Sequence, residues 1–459
     1  MKQSKLLTLS MVFFAILSII LTYYLIIDFP AFQNFIWKED YNQTVNNVSE
    51  KERVQETVFY QPTSLTLQDI LFPVQYIVRG ENTTHQIIDK QAIKSFQEFL
   101  SNNPIEIKTS IPIKDQTFIS SLYEQVHFQA LFIEKTPIRL LSHYFRLPRN
   151  EESKFLVDRV IVTFDEANTG QVYLINSSDN QYLVGEIPKV KDLYKLAYRK
   201  NLDQVRVQGY IGKNGLIYLP QETMNVSSEV YTMENLPESL FVKSFFPNGN
   251  YKTNENTKNL STYFNYQYTL EISDQKKLLN VRVNQPDKND VTNNKDRFKG
   301  PFDIISKYEY WKNSIHLVKN TTKNIEFRRF INTRPIFMEP SMHEYAASHF
   351  NLSSDSQSDV YQFQLPLMIF HAHIPDQSEE MTVPSASEMV AMLENYGFNI
   401  RGFDSIILGY EWQEETEKNQ KAILVPKWYF KINHEYYSWD QIGSQSFKLV
   451  WDRQFEEGE

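Results

Sequence analysis

LLTLSMVFFAILSIILTYYLII, Leu6–Ile27, is a run of 22 residues that contains no charged side chain. An α-helix of this length rises roughly 33 Å at 1.5 Å per residue, enough to cross a hydrocarbon core of about 30 Å. Lys2 and Lys5 precede the run and Asp28 follows it. By the positive-inside rule we expect a cytoplasmic tail at 1–5, a transmembrane helix at 6–27, and the bulk of the chain outside the cell membrane.

A cleaved signal peptide is the main alternative for this segment. The apolar region of a signal peptide spans about 7–15 residues and ends at a small-x-small cleavage site. The run here is longer, and it ends in IIDFPAFQ, Ile26–Gln33, which lacks an A-x-A-like pattern. The sequence therefore favours an uncleaved, single-pass anchor.

Small and hydroxyl side chains recur along one face of this helix. Steps of three and four residues place five side chains in one stripe: Thr8, Met11, Ala15, Ser18 and Thr22. Such a stripe lets a second helix approach closely and offers hydrogen bonds between helices. Ser and Thr also occur in membrane helices where they bond their own backbone, so binding of a partner is one of two interpretations. A signal passed inward has to travel through this helix, because the predicted cytoplasmic tail is so short.

The composition excludes several classes of function. The 459-residue chain has no cysteine, which excludes disulfides, thiolate nucleophiles and zinc–thiolate sites. Its net charge is −9, whereas a protein that binds nucleic acid needs a basic surface. We therefore predict no nucleic-acid partner.

Hydrophobic patterns divide the rest of the chain into a stalk and three extracytoplasmic domains. We predict a polar stalk at 28–55 and domains at 56–197, 198–300 and 301–459. The last two domains both show a helix followed by alternating, strand-like runs. This order predicts an α+β fold with mainly antiparallel sheets and packed helices, in which the last two domains are a candidate diverged repeat.

The same periodicities predict individual elements. Helices are predicted at Gln91–Leu100, Gln116–Val126, Lys189–Tyr198, Glu234–Phe246, Phe302–Trp311 and Ala386–Tyr396. Strands are predicted at Pro73–Val78, Val157–Phe164, Thr262–Ile272, Lys277–Val283, Ile315–Val318, Ile325–Ile331, Tyr361–Phe370, Ser405–Trp412 and Ala422–Ile432. Asn168, Thr169 and Gly170 are predicted to form the turn of a hairpin over Phe164–Asn176.

Candidate metal ligands are few. His371 and His373 are predicted on one face of a strand with Asp376 close by, but the sequence identifies no third ligand for a zinc-type site. Since strand histidines are mostly ordinary side chains, we predict no metal and no cofactor.

Motifs of enzymes are also weak. His343 and Glu344 followed by His349 resemble a zinc-protease motif, but a separation of six residues turns the two histidines apart on a helix. The chain has no G-x-S-x-G nucleophile elbow and no glycine-rich phosphate loop. The sequence therefore predicts a protein without enzymatic activity, although a wall hydrolase that uses carboxylates stays an alternative.

Several longer stretches resemble one known family. They are FPVQYIV at Phe72–Val78, LPESLFVKSFFPN at Leu236–Asn248, PFDIISKYEYWKN at Pro301–Asn313, IEFRRFINTRPIF at Ile325–Phe337 and LGYEWQ…LVPKWYF at Leu408–Phe430. Together with the membrane helix they resemble the YycH family, membrane-anchored regulators encoded with the essential cell-wall two-component system of low-GC Gram-positive bacteria. The resemblance spans nearly the whole chain and rests on scattered apolar and aromatic positions.

This resemblance implies a non-enzymatic protein with three extracytoplasmic domains. It also implies two partners, the sister protein YycI and the sensor histidine kinase YycG, also called WalK, on which family members act through their transmembrane helices. We therefore expect a regulator that modulates this kinase within the cell membrane. A cell-wall binding module, a wall-processing enzyme and association as a homodimer stay alternatives, and the sign of the effect on the kinase stays open.

Overall fold

The computed structural model describes the extracytoplasmic part predicted above. Its described residues are 62, 65–109, 111–146, 154–164, 169–257, 259–284, 297–339, 342–353, 360–414 and 421–456. The predicted tail, transmembrane helix and stalk, at 1–5, 6–27 and 28–55, lie outside these residues. Within the described ranges, no helix is long and apolar enough to cross a membrane.

The α-helices of the described chain are short. They are α1 Leu67–Ile70, α2 Lys90–Asn102, α3 Gln116–Leu122, α4 Val190–Ala197, α5 Glu238–Phe245, α6 Lys299–Tyr308, α7 Ala386–Asn395, α8 Trp439–Ile442 and α9 Gln445–Glu456, with 3-10 turns at Ile138–Leu141, Pro375–Gln377 and Ile400–Gly402. Asp89 caps the start of α2, and its carboxylate accepts hydrogen bonds from the N–H groups of Gln91 and Ala92. α7 begins with a capping box between Ser385 and Glu388.

The strands of the N-terminal half form one sheet. They are β1 Gln75–Arg79, β2 Thr84–Ile87, β3 Ile105–Ile107, β4 Ile113–Lys114, β5 His127–Pro137, β6 Phe145–Arg146, β7 Leu156–Thr163, β8 Thr169–Asn176, β9 Gln181–Pro188, β10 Gln204–Gly212 and β11 Gly215–Pro220. Their order is β11-β10-β2-β1-β5-β7-β8-β9-β3-β6, with β4 beside β9. Among these described strands the pairing is antiparallel except between β3 and β6.

The remaining strands form a larger sheet and one separate pair. They are β12 Met224–Ser227, β13 Glu229–Asn235, β14 Lys252–Thr257, β15 Leu260–Phe264, β16 Tyr268–Ser273, β17 Leu278–Val283, β18 Ile315–Asn320, β19 Asn324–Ile331, β20 Arg334–Met338, β21 Ala347–Leu352, β22 Val360–Pro366, β23 Met368–His373, β24 Glu380–Val383, β25 Ser405–Glu414, β26 Lys421–Ile432 and β27 Glu435–Ser438. β12 pairs with β24. The larger sheet has the order β14-β15-β16-β17-β22-β21-β19-β20-β25-β26-β13-β23, with β18 beside β19 and β27 beside β26.

The pairing of strands runs across the predicted boundary between residues 197 and 198. β10 follows this boundary in the sequence, yet it pairs with β2, where Val205 lies opposite Gln86. β13 likewise lies between β26 and β23 of the C-terminal sheet. The predicted α+β class with mainly antiparallel sheets is confirmed, while the division into three domains stays a prediction.

Two similar meanders meet in the larger sheet. In the sequence, α5 is followed by β14-β15-β16-β17, and α6 is followed by β18-β19 and β21-β22. The last strands of the two meanders pair with each other, with Val281 of β17 opposite Phe363 of β22. This symmetry is compatible with the predicted diverged repeat, which stays a prediction because antiparallel meanders also arise independently.

Two predicted strands are each divided in the structure. Tyr361–Phe370 contains all of β22 except its first residue, and also the start of β23, which pairs with a different neighbour. Pro366, the last residue of β22, has no N–H group to donate to the ladder. Thr262–Ile272 is a hairpin of β15 and β16, whose turn is closed by the Asn265 side chain.

The predicted start of one helix and the predicted extent of one hairpin turn are also wrong. Glu234 belongs to β13 and not to the helix, because α5 starts directly after Pro237, a residue suited to the first turn of a helix. Thr169 and Gly170 are the first residues of β8 and not part of the turn. The hairpin itself is confirmed, since Val162 lies opposite Val172.

The described residues fall into two compact units. Lys243–Asn250 belong to one of them and contain the end of α5 and a turn in which the Gly249 N–H donates to the Phe246 carbonyl at 3.0 Å. Gly249 has a φ of +67°, which glycine adopts without strain. Residues 62–242 and 251–456 belong to the other unit.

The core of the larger unit joins the two sheets. Ile217 and Leu219 of β11 belong to a buried cluster with side chains of α7, α9, β25 and β26. Beside this cluster, the Asp404 carboxylate accepts hydrogen bonds from Asn214 Nδ2 at 2.9 Å and from the Asn433 N–H at 2.7 Å. Apolar packing and this polar contact therefore hold the β10–β11 hairpin against the C-terminal sheet.

Two buried histidines make the stability of the protein depend on pH. Burial lowers the pKa of His127 in β5 and of His316 in β18 to about 4, from 6.5. The unfolded chain binds these protons at a higher pH than the folded chain does. The contribution of these two histidines to the free energy of unfolding is therefore fully present above about pH 6.5, and it is lost as the pH drops towards 4. At about 1.4 kcal/mol per pKa unit, each histidine removes about 3 kcal/mol at pH 4.

We expect His316→Gln to reduce the pH dependence of stability between pH 6.5 and 4. The slope of the free energy of unfolding against pH should fall by up to about 1.4 kcal/mol per pH unit. Urea unfolding at stepped pH measures this slope, and His143→Gln at an exposed position is the control. Equal slopes in the two variants would contradict the prediction.

Candidate functional site

The predicted partner-binding stripe cannot be compared with the structure. Thr8, Met11, Ala15, Ser18 and Thr22 all lie outside the described residues. Their contact with a second helix therefore stays a prediction.

The structure places the two predicted strand histidines beside carboxylates of the neighbouring strand β13. His371 Nδ1 is 3.2 Å from Glu234 Oε2, and His373 Nε2 is 2.6 Å from Glu229 Oε2. Asp376 lies in the 3-10 turn that follows β23. Among the described residues, no group of three His, Cys, Asp or Glu side chains could hold a metal ion. Each histidine thus has a carboxylate as its neighbour.

A polar cleft of about 210 Å³ opens elsewhere, on the C-terminal sheet, between strands β18 to β21 and the β26–β27 hairpin. Its wall includes the aromatic rings of Phe337, Tyr429 and Tyr436. Its ionisable side chains are Lys319, Glu326, Arg328, Glu344, His349, His434 and Glu435. We call this cleft, with its aromatic and its ionisable lining residues, the charged cleft.

Arg328 is the central cation of the charged cleft. Alternation along β19 places Glu326 and Arg328 on the same face, and Arg328 Nη2 is 2.5 Å from Glu326 Oε1. Arg328 Nη1 donates to the Ile336 carbonyl at 2.8 Å, and Nη2 lies 3.3 Å from Glu344 Oε2. The guanidinium also lies 4.5 Å from the centre of the Phe337 ring. Arg328 is thus held by charge, by hydrogen bonds and by a ring face.

Charge partners outweigh burial at this pair. Burial raises the pKa of Glu326, but the Arg328 guanidinium and the His349 imidazole lower this pKa by more than burial raises it. The pKa of Glu326 therefore lies below its usual range. Burial lowers the pKa of Arg328, but the carboxylates of Glu344 and Glu326 raise it above its usual range. Both groups of the pair are therefore ionised at neutral pH.

A second buried ion pair lies beside the cleft and joins the two sheets. Lys431 Nζ in β26 is 2.6 Å from Glu134 Oε2 in β5, and it also donates to the carbonyls of Ile133 and Val318. His434 Nδ1 is 3.6 Å from the same oxygen of Glu134. Burial raises the pKa of Glu134, but Lys431 and His434 together lower it to about 2.

Two tight turns position strands at the rim of the cleft. Asn433 and His434 connect β26 to β27 with φ values of +49° and +68°, and Asn332 and Thr333 connect β19 to β20 with +50° and +66°. Positive φ at both central residues defines a type I′ turn, which matches the twist of the strands and favours Asn. The first of these turns places the His434 side chain at the cleft.

Sequence patterns did not identify the charged cleft. Glu344 and His349, two residues of the rejected zinc-protease motif, both line it, and His349 lies on strand β21. The signal that could have found the cleft is IEFRRFI, Ile325–Ile331. Glu326 and Arg328 stand inside this strongly apolar strand, and buried charges require partners.

Comparison with known proteins agrees with this architecture. The family model described as "YycH protein, C-terminal domain" matches residues 214–443. The crystal structure of YycH from Bacillus subtilis matches with a TM-score of 0.65 at 14% identity, covering 82% of this chain and 98% of that chain. At this identity the structural match shows the fold alone, and no curated protein sequence matches the chain. Because the family model covers half of the chain, the protein belongs to the YycH family.

Proposed function

We propose that this chain is a non-enzymatic regulator of a membrane sensor histidine kinase that controls cell-wall metabolism. The observation that carries the proposal is membership of the YycH family, which suggests regulation of the YycG kinase system. Contacts with the kinase and with a YycI-like regulator are part of the proposal. So is a location in the cell membrane with the N-terminus in the cytoplasm.

The proposed route of regulation is the transmembrane stripe of Thr8, Met11, Ala15, Ser18 and Thr22. A regulator changes the activity of a kinase only if it binds two states of the kinase with different affinity. Such coupling is typically worth about 1–3 kcal/mol. Contacts between membrane helices contribute roughly 0.6 kcal/mol each, so a few contacts along the stripe are sufficient.

We also propose that the folded mass outside the membrane consists of three domains behind the stalk. The pairing of β10 with β2 supports assigning β10 to the sheet of the first domain, although the notional boundary lies before it in the sequence. The antiparallel pairing of β17 with β22 supports one continuous sheet that the last two domains share.

The combined substitution of Ala15, Ser18 and Thr22 by Leu is expected to weaken binding of the kinase. Larger side chains prevent close approach of the helices and remove hydroxyl groups, a loss of about 2 kcal/mol or roughly 30-fold in affinity. Crosslinking in intact membranes followed by recovery of the kinase with the chain measures binding. Transcription of the genes under control of the kinase measures its output.

Ser10→Leu is the matched control, because Ser10 has a similar small hydroxyl side chain but lies off the stripe. It should leave recovery of the kinase and transcription unchanged. If the triple variant leaves both unchanged as well, the stripe is not the contact surface. If the mature protein is released from the membrane by cleavage near Asp28, regulation within the membrane is contradicted altogether.

A further inference from the structure

Alternation divides the middle strands of the larger sheet into an apolar side and a polar side. On the apolar side, four side chains lie opposite one another from β16 to β21 and are at most 2% exposed: Leu270, Val281, Phe363 and Phe350. Glu238 of α5 lies on this side, because it accepts a hydrogen bond from Tyr263, which is opposite Leu270. The other side of these strands is therefore the one turned away from α5.

Side chains on the polar side form two rows that cross six strands. In the first row each member lies directly opposite the next: Thr262, Glu271, Asn280, Gln364, His349 and Glu326. The second row lies two residues along each strand, roughly 7 Å away, and consists of Phe264, Thr269, Arg282, Gln362, Asn351 and Asn324. With strands about 4.8 Å apart, each row is roughly 24 Å long. We call the two rows the polar face.

Four amide side chains occupy the centre of the polar face. Asn280, Gln364, Gln362 and Asn351 lie on the adjacent strands β17, β22 and β21, and all four are half-buried. Their side-chain amides make no hydrogen bond with any described residue. Each amide group can donate two hydrogen bonds and accept two. The polar face thus presents a dense set of uncharged donors and acceptors that the protein itself does not use.

Strand formation does not account for Asn280 and Asn351. Asparagine is depleted in β-strands, whereas threonine and other β-branched side chains fit the pleated surface. A face that is merely solvated gains nothing from asparagine at the centre of a sheet. Departures from local preference are expected where a surface has a function.

The composition of the polar face selects the chemistry of its partner. Protein interfaces are built around an apolar centre, but the apolar side chain of the two rows, Phe264, stands at their β15 end. A polyanion needs a cluster of cations, and the two rows contain one arginine and no lysine. An uncharged chain rich in hydroxyl groups fits both constraints.

We propose that the polar face binds an uncharged glycan chain that lies across the strands. Sugar hydroxyl groups both donate and accept hydrogen bonds, so they match side-chain amides. A row of roughly 24 Å contacts several sugar units in succession, and the sheet face of another fold, the OB-fold, binds oligosaccharides. The Phe264 ring offers an apolar surface to a sugar at one end. This inference goes beyond regulation of the kinase and does not depend on the transmembrane stripe.

Chitohexaose, an uncharged oligomer of N-acetylglucosamine, is the probe that tests the proposal. The full chain is kept in a polyoxyethylene detergent, which carries no sugar, and saturation-transfer NMR measures binding. We expect chitohexaose to bind at least about tenfold more tightly than monomeric N-acetylglucosamine, because the rows contact several units at once. Polyglycerol phosphate, a polyanion, and an uncharged Gly-Ser peptide should not bind. Absent binding of chitohexaose, or equally tight binding of the monomer, the polyanion or the peptide, would overturn the proposal.

The double variant Asn280→Thr/Gln364→Thr distinguishes a binding surface from a structural one. It should weaken binding of chitohexaose at least about tenfold, because two amides of the first row are lost. Its Tm should stay equal or rise, because threonine suits strands and no hydrogen bond of the free protein is removed. Gln362→Thr/Asn351→Thr should give the same result for the second row.

Gln208→Thr is the matched control, since it replaces an exposed strand amide of β10, outside the polar face. It should bind chitohexaose as the unchanged protein does. If both double variants bind as tightly as this control, the polar face does not hold the glycan.

Discussion

Arg329→Met is expected to destabilise the protein by about 3–5 kcal/mol, the usual cost of breaking a buried ion pair. Arg329 is 1% exposed, and its Nη2 lies 2.7 Å from Glu309 Oε1. Its Nη1 donates to the carbonyls of Tyr345 and Met368 at 2.9 and 2.6 Å. Removal of the guanidinium takes this cation away from the buried Glu309 carboxylate, and it leaves two carbonyls without this donor.

Glu309 makes this loss larger because it organises the chain directly after α6. Its Oε1 accepts hydrogen bonds from the N–H groups of Tyr310 and Trp311, both at 3.0 Å. The Trp311 ring in turn lies 4.7 Å from the Arg329 guanidinium. We therefore expect Arg329→Met to disturb the joint between α6 and β18 as well as the ion pair.

Urea unfolding measures the effect, with Arg282→Met at an exposed position of β17 as the control. The double variant Glu309→Leu/Arg329→Met should regain part of the lost stability, because it removes the buried carboxylate together with the cation beside it. A loss below about 1 kcal/mol in Arg329→Met, the range of surface ion pairs, would contradict the prediction.

Lys431→Met is expected to cost a similar 3–5 kcal/mol at pH 7, because it leaves Glu134 buried without its cation. The side chains of Lys431 and Glu134 are 7% and 4% exposed. The pair connects β5 of the N-terminal sheet with β26 of the C-terminal sheet. Loss of this ion pair therefore weakens the contact between the two sheets as well as the packing around each of the two residues.

The pH dependence of this loss distinguishes the ion pair from simple packing. In the unchanged protein the pKa of Glu134 is lowered from 4.5 to about 2, so its contribution is complete above about pH 4.5 and disappears as the pH falls towards 2. In Lys431→Met, burial raises the pKa of Glu134, and protonation relieves the unpaired charge. The difference in free energy of unfolding between the two proteins should therefore begin to shrink above about pH 4.5, as Glu134 of the variant takes up a proton, and should shrink further as the pH falls towards 2.

Lys276→Met, at an exposed position, is the control for the loss of a lysine. The double variant Glu134→Gln/Lys431→Met tests further whether the ion pair causes the loss. Removal of both charges should restore part of the stability and abolish the pH dependence that comes from Glu134. A difference that stays constant from pH 7 to pH 3 would show that the ion pair is not the cause.

Local patterns were sufficient for elements whose partners are near in sequence. Ser405–Trp412 and Ala422–Ile432 were predicted as antiparallel strands and correspond to β25 and β26. The helix predicted at Ala386–Tyr396 matches α7, whose stop at Gly397 has a φ of +81°. Alternation, helical spacing and end signals report directly on the local backbone, so no tertiary information was needed. The membrane segment was predicted in the same local way and stays a prediction.

Partners that are distant in sequence were decided by the tertiary structure alone. Lys431 and Glu134 are 297 positions apart, and the charged cleft joins β18 and β19 to the β26–β27 hairpin. Nothing in the local pattern of Tyr361–Phe370 states that β22 and β23 pair with different strands. The sequence by itself determined the class of fold, the apolar N-terminal run and the family. The register between strands decided which charged side chains form pairs. A buried carboxylate can pair with any buried cation, and only the packed sheets bring a particular cation within reach of it.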